Sequence, residues 1–329
     1  MSFLKRIPAA AAILAAAFCV AAPAAAQTEV KLAYALATNS HYGAGAAAWA
    51  ETAEKLSNGK LKFKQFPSSA LGGERETVES VQLGTLEAVI VSSGTLSNFV
   101  PEVGVTDIPF LFRDLKHARS VLDGPVGQDL LAKFRSRNLV ALAWGEQGFR
   151  HLTNSRHPVQ KPDDMKGLKI RTMENPVHIT AFKTLGAAPT PMAWPEVIGA
   201  LQQGTIDGQE NPMSVIVSAK LAQVQKYLTL TGHVYSPAAL IVSTKLWNSL
   251  DDAGKKALAE GARAGAQAMR AYVDEVERKG LADVKAAGMQ VVELDDRSKA
   301  SFQQALGPAY KQYESRYGRA LIDSIANAK

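Results

Sequence analysis

Short apolar runs alternate with segments of helical period along most of this chain. Val30 to Ala35, Leu61 to Phe66 and Glu87 to Val91 have the length and side-chain character of strands, while Tyr42 to Leu56 and Glu74 to Leu83 are built from helix formers. The rhythm resumes with strand-like runs at Leu139 to Trp144 and Leu168 to Met173. Helices follow at Val177 to Leu185 and Pro195 to Leu201, then strands near Tyr227 to Thr231 and Ala239 to Ser243. Leu115 to Arg137 also reads as helical, broken at Asp123-Gly124-Pro125. Alternation of this kind predicts an α/β protein, here with two sheets joined by crossing segments.

From Asp252 to about Ala287 the chain lacks proline, and Leu258, Ala262, Ala266, Met269, Tyr272, Val273 and Val276 recur at spacings near three and four. One continuous helix of this length would run about 50 Å, too long for a single lobe, so it reads as a brace between two. Gly254, Gly261 and Gly265 each weaken it by about 1 kcal/mol relative to alanine, and the alternative is two helices broken near Gly265 or Gly280.

The first residues bear on compartment. Lys5 and Arg6 precede an apolar run from Ala9 to Ala22 and an Ala24-Ala25-Ala26 cleavage site, the pattern of a secretory signal over residues 1–26. Phe18 before Cys19 does not suit lipid attachment, and removal of the segment leaves no cysteine. A chain of roughly 300 remaining residues exceeds what one core organises, and two lobes are expected: 27–147 with 237–276, and 148–236 with 277–329.

Charge adds little. Removing Lys5 and Arg6 takes the net charge from +6 to +4, and the remaining basic residues form no stripe of the kind that binds nucleic acid.

Enzyme signatures are weak on inspection. Gly43-Ala44-Gly45-Ala46-Ala47-Ala48 matches a dinucleotide fingerprint by letter, but Lys62 and Lys64 stand where a ribose-binding acid is wanted. Ser57-Asn58-Gly59-Lys60 falls where a helix ends at glycine. There is no nucleophile elbow, phosphate loop or H-E-x-x-H. The six histidines show no zinc-like spacing, so no metal or cofactor is expected.

The most informative stretch is Asp207-Gly208-Gln209-Glu210-Asn211-Pro212, read with the earlier Gly167-Leu168-Lys169-Ile170-Arg171. Arg171 ends a strand, where open α/β sheets place their ligand crevice, and its guanidinium is a planar fork that fits a carboxylate. Asn211 before Pro212 suits a helix N-cap as well as a ligand contact.

Together with Leu185-Gly186-Ala187, Pro189-Thr190-Pro191-Met192 and Glu196-Val197, these motifs resemble the solute-binding proteins of TRAP transporters (tripartite ATP-independent periplasmic transporters), the DctP-like family. The resemblance spans about Val30 to Ser243. It implies a two-lobed, type II-like periplasmic binding protein, with its cleft between the lobes and a long bridging helix.

By that resemblance Arg171 clamps a ligand carboxylate, Asn211 contacts the ligand, Arg150 in Gly148-Phe149-Arg150 is a second site arginine, and Trp194 lines the pocket. Ser92 stands where sialic-acid binders carry an acid, which argues against sialic acid. Glu74 opens a helix, where the dipole also favours a carboxylate. Asn39, Ser40 and His41 at the first strand's end, with Asn175 and Tyr235, are further candidates for hydrogen bonds to hydroxyls, capping being the other role for the small polar ones.

The expected function is therefore capture of a small organic acid, a sugar acid such as a uronate or aldonate first, a C4-dicarboxylate or 2-oxo acid second. Partners implied by the resemblance are the small and large membrane subunits of a permease, with the binder itself a periplasmic monomer. A secreted α/β enzyme is the reading from another class, and a sensor-coupled binder a third.

Overall fold

The computed structural model describes residues 27–328. The expected signal segment lies outside them. Among the described residues nine strands run in chain order: β1 (Thr28–Tyr34), β2 (Leu61–Phe66), β3 (Ala88–Ser92), β4 (Leu139–Asn154), β5 (Lys169–Thr172), β6 (Ala188–Pro191), β7 (Gly208–Pro212), β8 (Tyr227–Ser243) and β9 (Gln290–Glu293). They form one sheet in the order β2-β1-β3-β8-β4-β7-β5-β6, with β9 added on β8.

The expectation of two separate sheets is corrected here. β4 and β8 are 16 and 17 residues long and pair antiparallel along most of their length, so their hydrogen-bond ladder carries the sheet from one half of the molecule into the other. Apolar pattern alone ended the first run at Trp144 and split the second. The continuation holds Glu146, Gln147, Arg150, Thr231 and His233, polar residues that are nonetheless buried. Register shifts at Ala141/Ala143, Glu146/Gly148 and Arg150/Leu152 bend the pair at the crossing.

Alternation along the strands of the first half sorts side chains onto two faces. Val30, Leu32, Ala88 and Ile90 join a core under the helix His41–Leu56, while Ala33, Val89 and Val91 join a second core with Leu122 and Phe134.

The segment from Asp252 is one helix of 35 residues, Asp252–Ala286. Leu258, Ala262, Ala266 and Met269 pack in the core of the first half, and Val276 and Val284 in a core of the second, so the helix spans both. Its glycines do not break it, and two of them, Gly261 and Gly265, are where it meets the helix His41–Leu56. A Cβ on Gly265 would stand 2.7 Å from the Gly45 carbonyl oxygen, and one on Gly45 would stand 2.6 Å from Met269 Cγ. Trp49 Nε1 donates to the Leu258 carbonyl at 3.0 Å across the same crossing. Of the two glycines in the dinucleotide-like stretch, Gly45 thus serves helix packing, and Gly43 lies against the backbone of Thr38, where a Cβ would stand 2.0 Å from the carbonyl oxygen. Gly265→Val should destabilise by about 1–3 kcal/mol through overpacking, despite the better helix propensity; a urea titration that shows no loss would place the helices farther apart.

The tail divides. Leu294 and Phe302 pack with Leu152 and Ile170 of the second half, whereas Leu306, Ala309, Tyr313 and Ile325 pack with Val103, Leu122 and Phe134 of the first.

Candidate functional site

Where the two halves face each other, the chain leaves a cleft holding about 520 Å3 of space, partly open to solvent. The C-terminal ends of β1, β3, β5, β6 and β7, and the segments just after them, supply much of its lining, the position at which open α/β sheets hold ligands. Arg171, Asn211, Arg150, Glu74, Trp194 and Ser92 all line it.

Arg171, at the end of β5, is 3% exposed. Its Nε and Nη2 donate to the Met192 carbonyl oxygen at 3.0 and 2.7 Å, bonds that hold the guanidinium in place and do not use Nη1. Its guanidinium carbon lies 5.9 Å from the centre of the Trp194 ring. Burial lowers its pKa to about 10, Glu210 acting in the opposite sense and Arg150 adding to the fall. It remains a cation at neutral pH.

Arg150, in the middle of β4, is fully buried and differently employed. Nε and Nη2 donate to the two Glu210 carboxylate oxygens at 2.5 and 2.9 Å, Nη2 reaches the Glu210 carbonyl at 2.6 Å and Asn211 Oδ1 at 3.3 Å, and Nη1 donates to Ser236 Oγ at 3.2 Å. Glu210 in turn lies 3.6 Å from His178 Nδ1 and 3.3 Å from His233 Nε2. Burial would raise the Glu210 pKa, but Arg150 and then His178 hold it well below the usual carboxylate range. For His178 burial pulls the other way from Glu210 and Asp107, and the acids prevail, raising it. Glu210 was not among the side chains singled out from sequence, although it sits inside the motif that was.

Asn211 is 5% exposed and belongs to β7, opposite His151 of β4. The N-cap of the following helix Met213–Ser218 is Pro212, so Asn211 does not cap it. Its Nδ2 donates to Gln209 Oε1, which leaves its carbonyl oxygen on Arg150.

Across the cleft stands Glu74. Tyr42 Oη and the Ser92 N–H donate to its Oε1 at 3.1 and 3.0 Å, and Thr95 Oγ1 to its Oε2 at 2.7 Å. Burial pushes its carboxyl above the usual range, against these donors and the nearby Arg171 charge. Ser92 Oγ accepts from Gln147 Nε2 at 2.8 Å. Tyr42, Thr95, Gln147, Met173 and Met192 also line the cleft, and pattern reading did not select them. Gln147 had a signal only in hindsight, as a polar residue beyond an apolar strand run.

Three other candidates fall outside the cleft. Asn39 is exposed, and its carbonyl accepts from Tyr272 Oη at 2.9 Å. His41 is fully buried against Tyr42 and Tyr272, with ring centroids 4.7 and 6.2 Å away, and burial holds its pKa down at about 3, partly offset by Gln147. Tyr235 is a core residue that donates to Glu146 Oε2 at 3.1 Å. Helix starts and strand ends supplied these positions, but the side chains turn into packing or solvent.

Asn175 is also not on the cleft wall. Its Oδ1 caps the helix Pro176–Thr184, while its Nδ2 donates to the Gly94 carbonyl and Asp107 Oδ2 at 3.1 and 3.0 Å, tying the second half to the first. Asn98 Nδ2 adds a bond to the Glu174 carbonyl at 2.6 Å.

Among the described residues no group of three His, Cys, Asp or Glu side chains is placed to hold a metal ion. No described helix is long and apolar enough to cross a membrane.

Known proteins share this fold. A solute-binding protein of Verminephrobacter eiseniae is 53% identical over 308 residues, covering 94% of this chain and 91% of its own. A TRAP periplasmic solute-binding protein of Bordetella bronchispeptica, whose crystal structure has density interpreted as pantoate, superposes with a TM-score of 0.90 at 59% identity, covering 92% of this chain and all of that one (100%). A TRAP periplasmic solute-binding protein of Polaromonas sp. JS666 bound to D-erythronate gives a TM-score of 0.90 at 51% identity over 92% of this chain and 99% of its own. The family match runs over residues 32–316 and includes the whole cleft, in a family of binding proteins and not of enzymes. The chain therefore belongs to the DctP family, bacterial extracellular solute-binding protein family 7.

Proposed function

We propose that this protein captures a small hydroxylated organic acid, a sugar acid of the aldonate or uronate kind, in the periplasm and delivers it as a monomer to a TRAP membrane permease of small and large subunits. The observation that carries the reading is Arg171. Among the described residues lining the cleft, Arg75 lies within ion-pair distance of Glu79 and Glu174, and Arg150 of Glu210, while Arg171 has no carboxylate that close. A buried cation without an anion is a place for one. Around it Ser92, Thr95, Gln147 and Asn211 offer neutral polar groups suited to hydroxyls. The pantoate and D-erythronate in the two similar structures are acids of that description.

Release and capture would come from movement of the two halves about the β4–β8 crossing. Residues 27–147 and 237–276, with the last helices from Gly307, move against the rest, and the Asn175 and Asn98 bonds close with the ligand inside.

A thermal-shift screen against organic acids tests the ligand class. An acid present at about 100 times its dissociation constant adds roughly 2.7 kcal/mol of stability. Sugar acids should raise the melting point; a shift with neutral sugars or amines but with no acid would sink the reading.

A further inference from the structure

We infer that Glu74 is the residue by which this cleft selects monocarboxylates, admitting an acid with a neutral, hydroxylated tail and rejecting one that carries a second carboxylate. The inference rests on the reading of the cleft as an organic-acid site and narrows it.

The charges lining the cleft leave room for one anion. Arg150 is paired with Glu210 and Arg75 with Glu79 and Glu174, which leaves Arg171 as the lining arginine without a partner carboxylate. A first carboxylate on Arg171 uses that charge. The rest of the ligand lies between Arg171 and the opposite wall, where Glu74 stands.

Glu74 has no cation in ion-pair contact among the described residues. Its oxygens are held by the neutral donors of Tyr42, Ser92 and Thr95. A second ligand carboxylate in this space would meet the like charge of a buried carboxylate. Burial already works against the charge of Glu74 itself, and a further anion compounds that strain. A hydroxyl meets no such penalty. It can donate to a carboxylate lone pair, of which an ionised carboxylate has about four, or bond Gln147 and Asn211, which also line the space. The selectivity arises from what the wall repels, with Arg171 binding either class of acid.

The test is a cycle in which one charge is removed from the protein and one from the ligand. Wild type and Glu74→Gln are titrated calorimetrically at about pH 8, well above ordinary carboxyl pKa values, with D-erythronate, succinate and monomethyl succinate. Wild type should prefer the monoester to succinate by about tenfold or more, and in Glu74→Gln that preference should fall to about twofold or less. A general loosening of the site weakens both ligands together and leaves their ratio in place, so the ratio isolates the charge.

If wild type binds D-erythronate but takes succinate as tightly as the monoester, the inference fails, whether or not Glu74→Gln folds. It fails equally if the monoester preference is the same in both proteins. If wild type binds succinate and not D-erythronate, the sugar-acid reading falls with it.

Discussion

Arg171→Ala will weaken binding of the cognate acid by about 2–5 kcal/mol, most of it from leaving the ligand carboxylate buried without its partner. At about 1.4 kcal/mol per tenfold, this is roughly a thirtyfold to several-thousandfold loss. The geometry supports the upper part of that range. The guanidinium is 3% exposed, anchored on the Met192 carbonyl, near the Trp194 ring, and not opposed by a protein carboxylate in contact. Arg171→Lys should recover only part of the loss, since an ammonium cannot hold Met192 and grip a carboxylate with a planar fork. On the proposed contact of Asn211 with the ligand, Asn211→Ala should weaken binding by the worth of one neutral hydrogen bond, about 0.5–1.5 kcal/mol. Calorimetry on protein shown to be folded decides it. Binding by Arg171→Ala within about threefold of wild type, under the tenfold that about 1.4 kcal/mol represents, would remove Arg171 as the clamp.

The second large effect is on stability. Glu210→Gln takes the charge from a carboxylate that is fully buried and bonded to a fully buried Arg150 at 2.5 and 2.9 Å. The arginine is then an uncompensated buried charge, and such half-broken pairs lose about 3–5 kcal/mol. Urea titration should show the midpoint falling with little change in slope. Removing both charges, as in Arg150→Met with Glu210→Leu, should be less damaging than Glu210→Gln alone.

The sign with pH follows from the depressed pKa of Glu210. Its stabilisation is present above the unfolded carboxylate value of about 4.3 and is lost as pH falls through the lower folded value. His178, raised by Glu210 and Asp107 against burial, stabilises below its unfolded value of about 6.5 and loses that contribution as pH rises through its folded value. If Glu210→Gln unfolds at the wild-type midpoint, Arg150 is satisfied by other means.

These two effects separate roles that the sequence shows as one. Both arginines follow an apolar strand pattern, and the family resemblance assigns both to the ligand site. Only the side-chain partners tell them apart. Arg150 is spent on Glu210 and Ser236, which fixes the wall of the cleft, and Arg171 keeps its charge uncommitted. The partners come from β7 and β8, 60 and 86 residues away from Arg150 in sequence, and no local pattern reports on a contact that distant.

Local information was enough where local physics decides. Strand runs such as Leu61–Phe66, which matches the observed β2, the helical period from Asp252 and the break at Asp123-Gly124-Pro125 were all legible, because periodicity and turn chemistry act over a few residues. The long helix was legible even with glycines against it. Why Gly261 and Gly265 are there was not, since the reason is the backbone of a helix more than two hundred residues earlier in the chain.

By itself the sequence determined the α/β class, the family and the helical period from Asp252, and it singled out the arginine near the end of β5, each carried by residues close together in the chain. The tertiary structure alone decided that β4 and β8 make one sheet of the two halves, that Asn39, His41 and Tyr235 stand away from the cleft, and that Glu210 belongs to Arg150. The reason is physical: a buried polar residue in a strand looks like a broken pattern until its partner is in place, and that partner arrives only when distant strands pair.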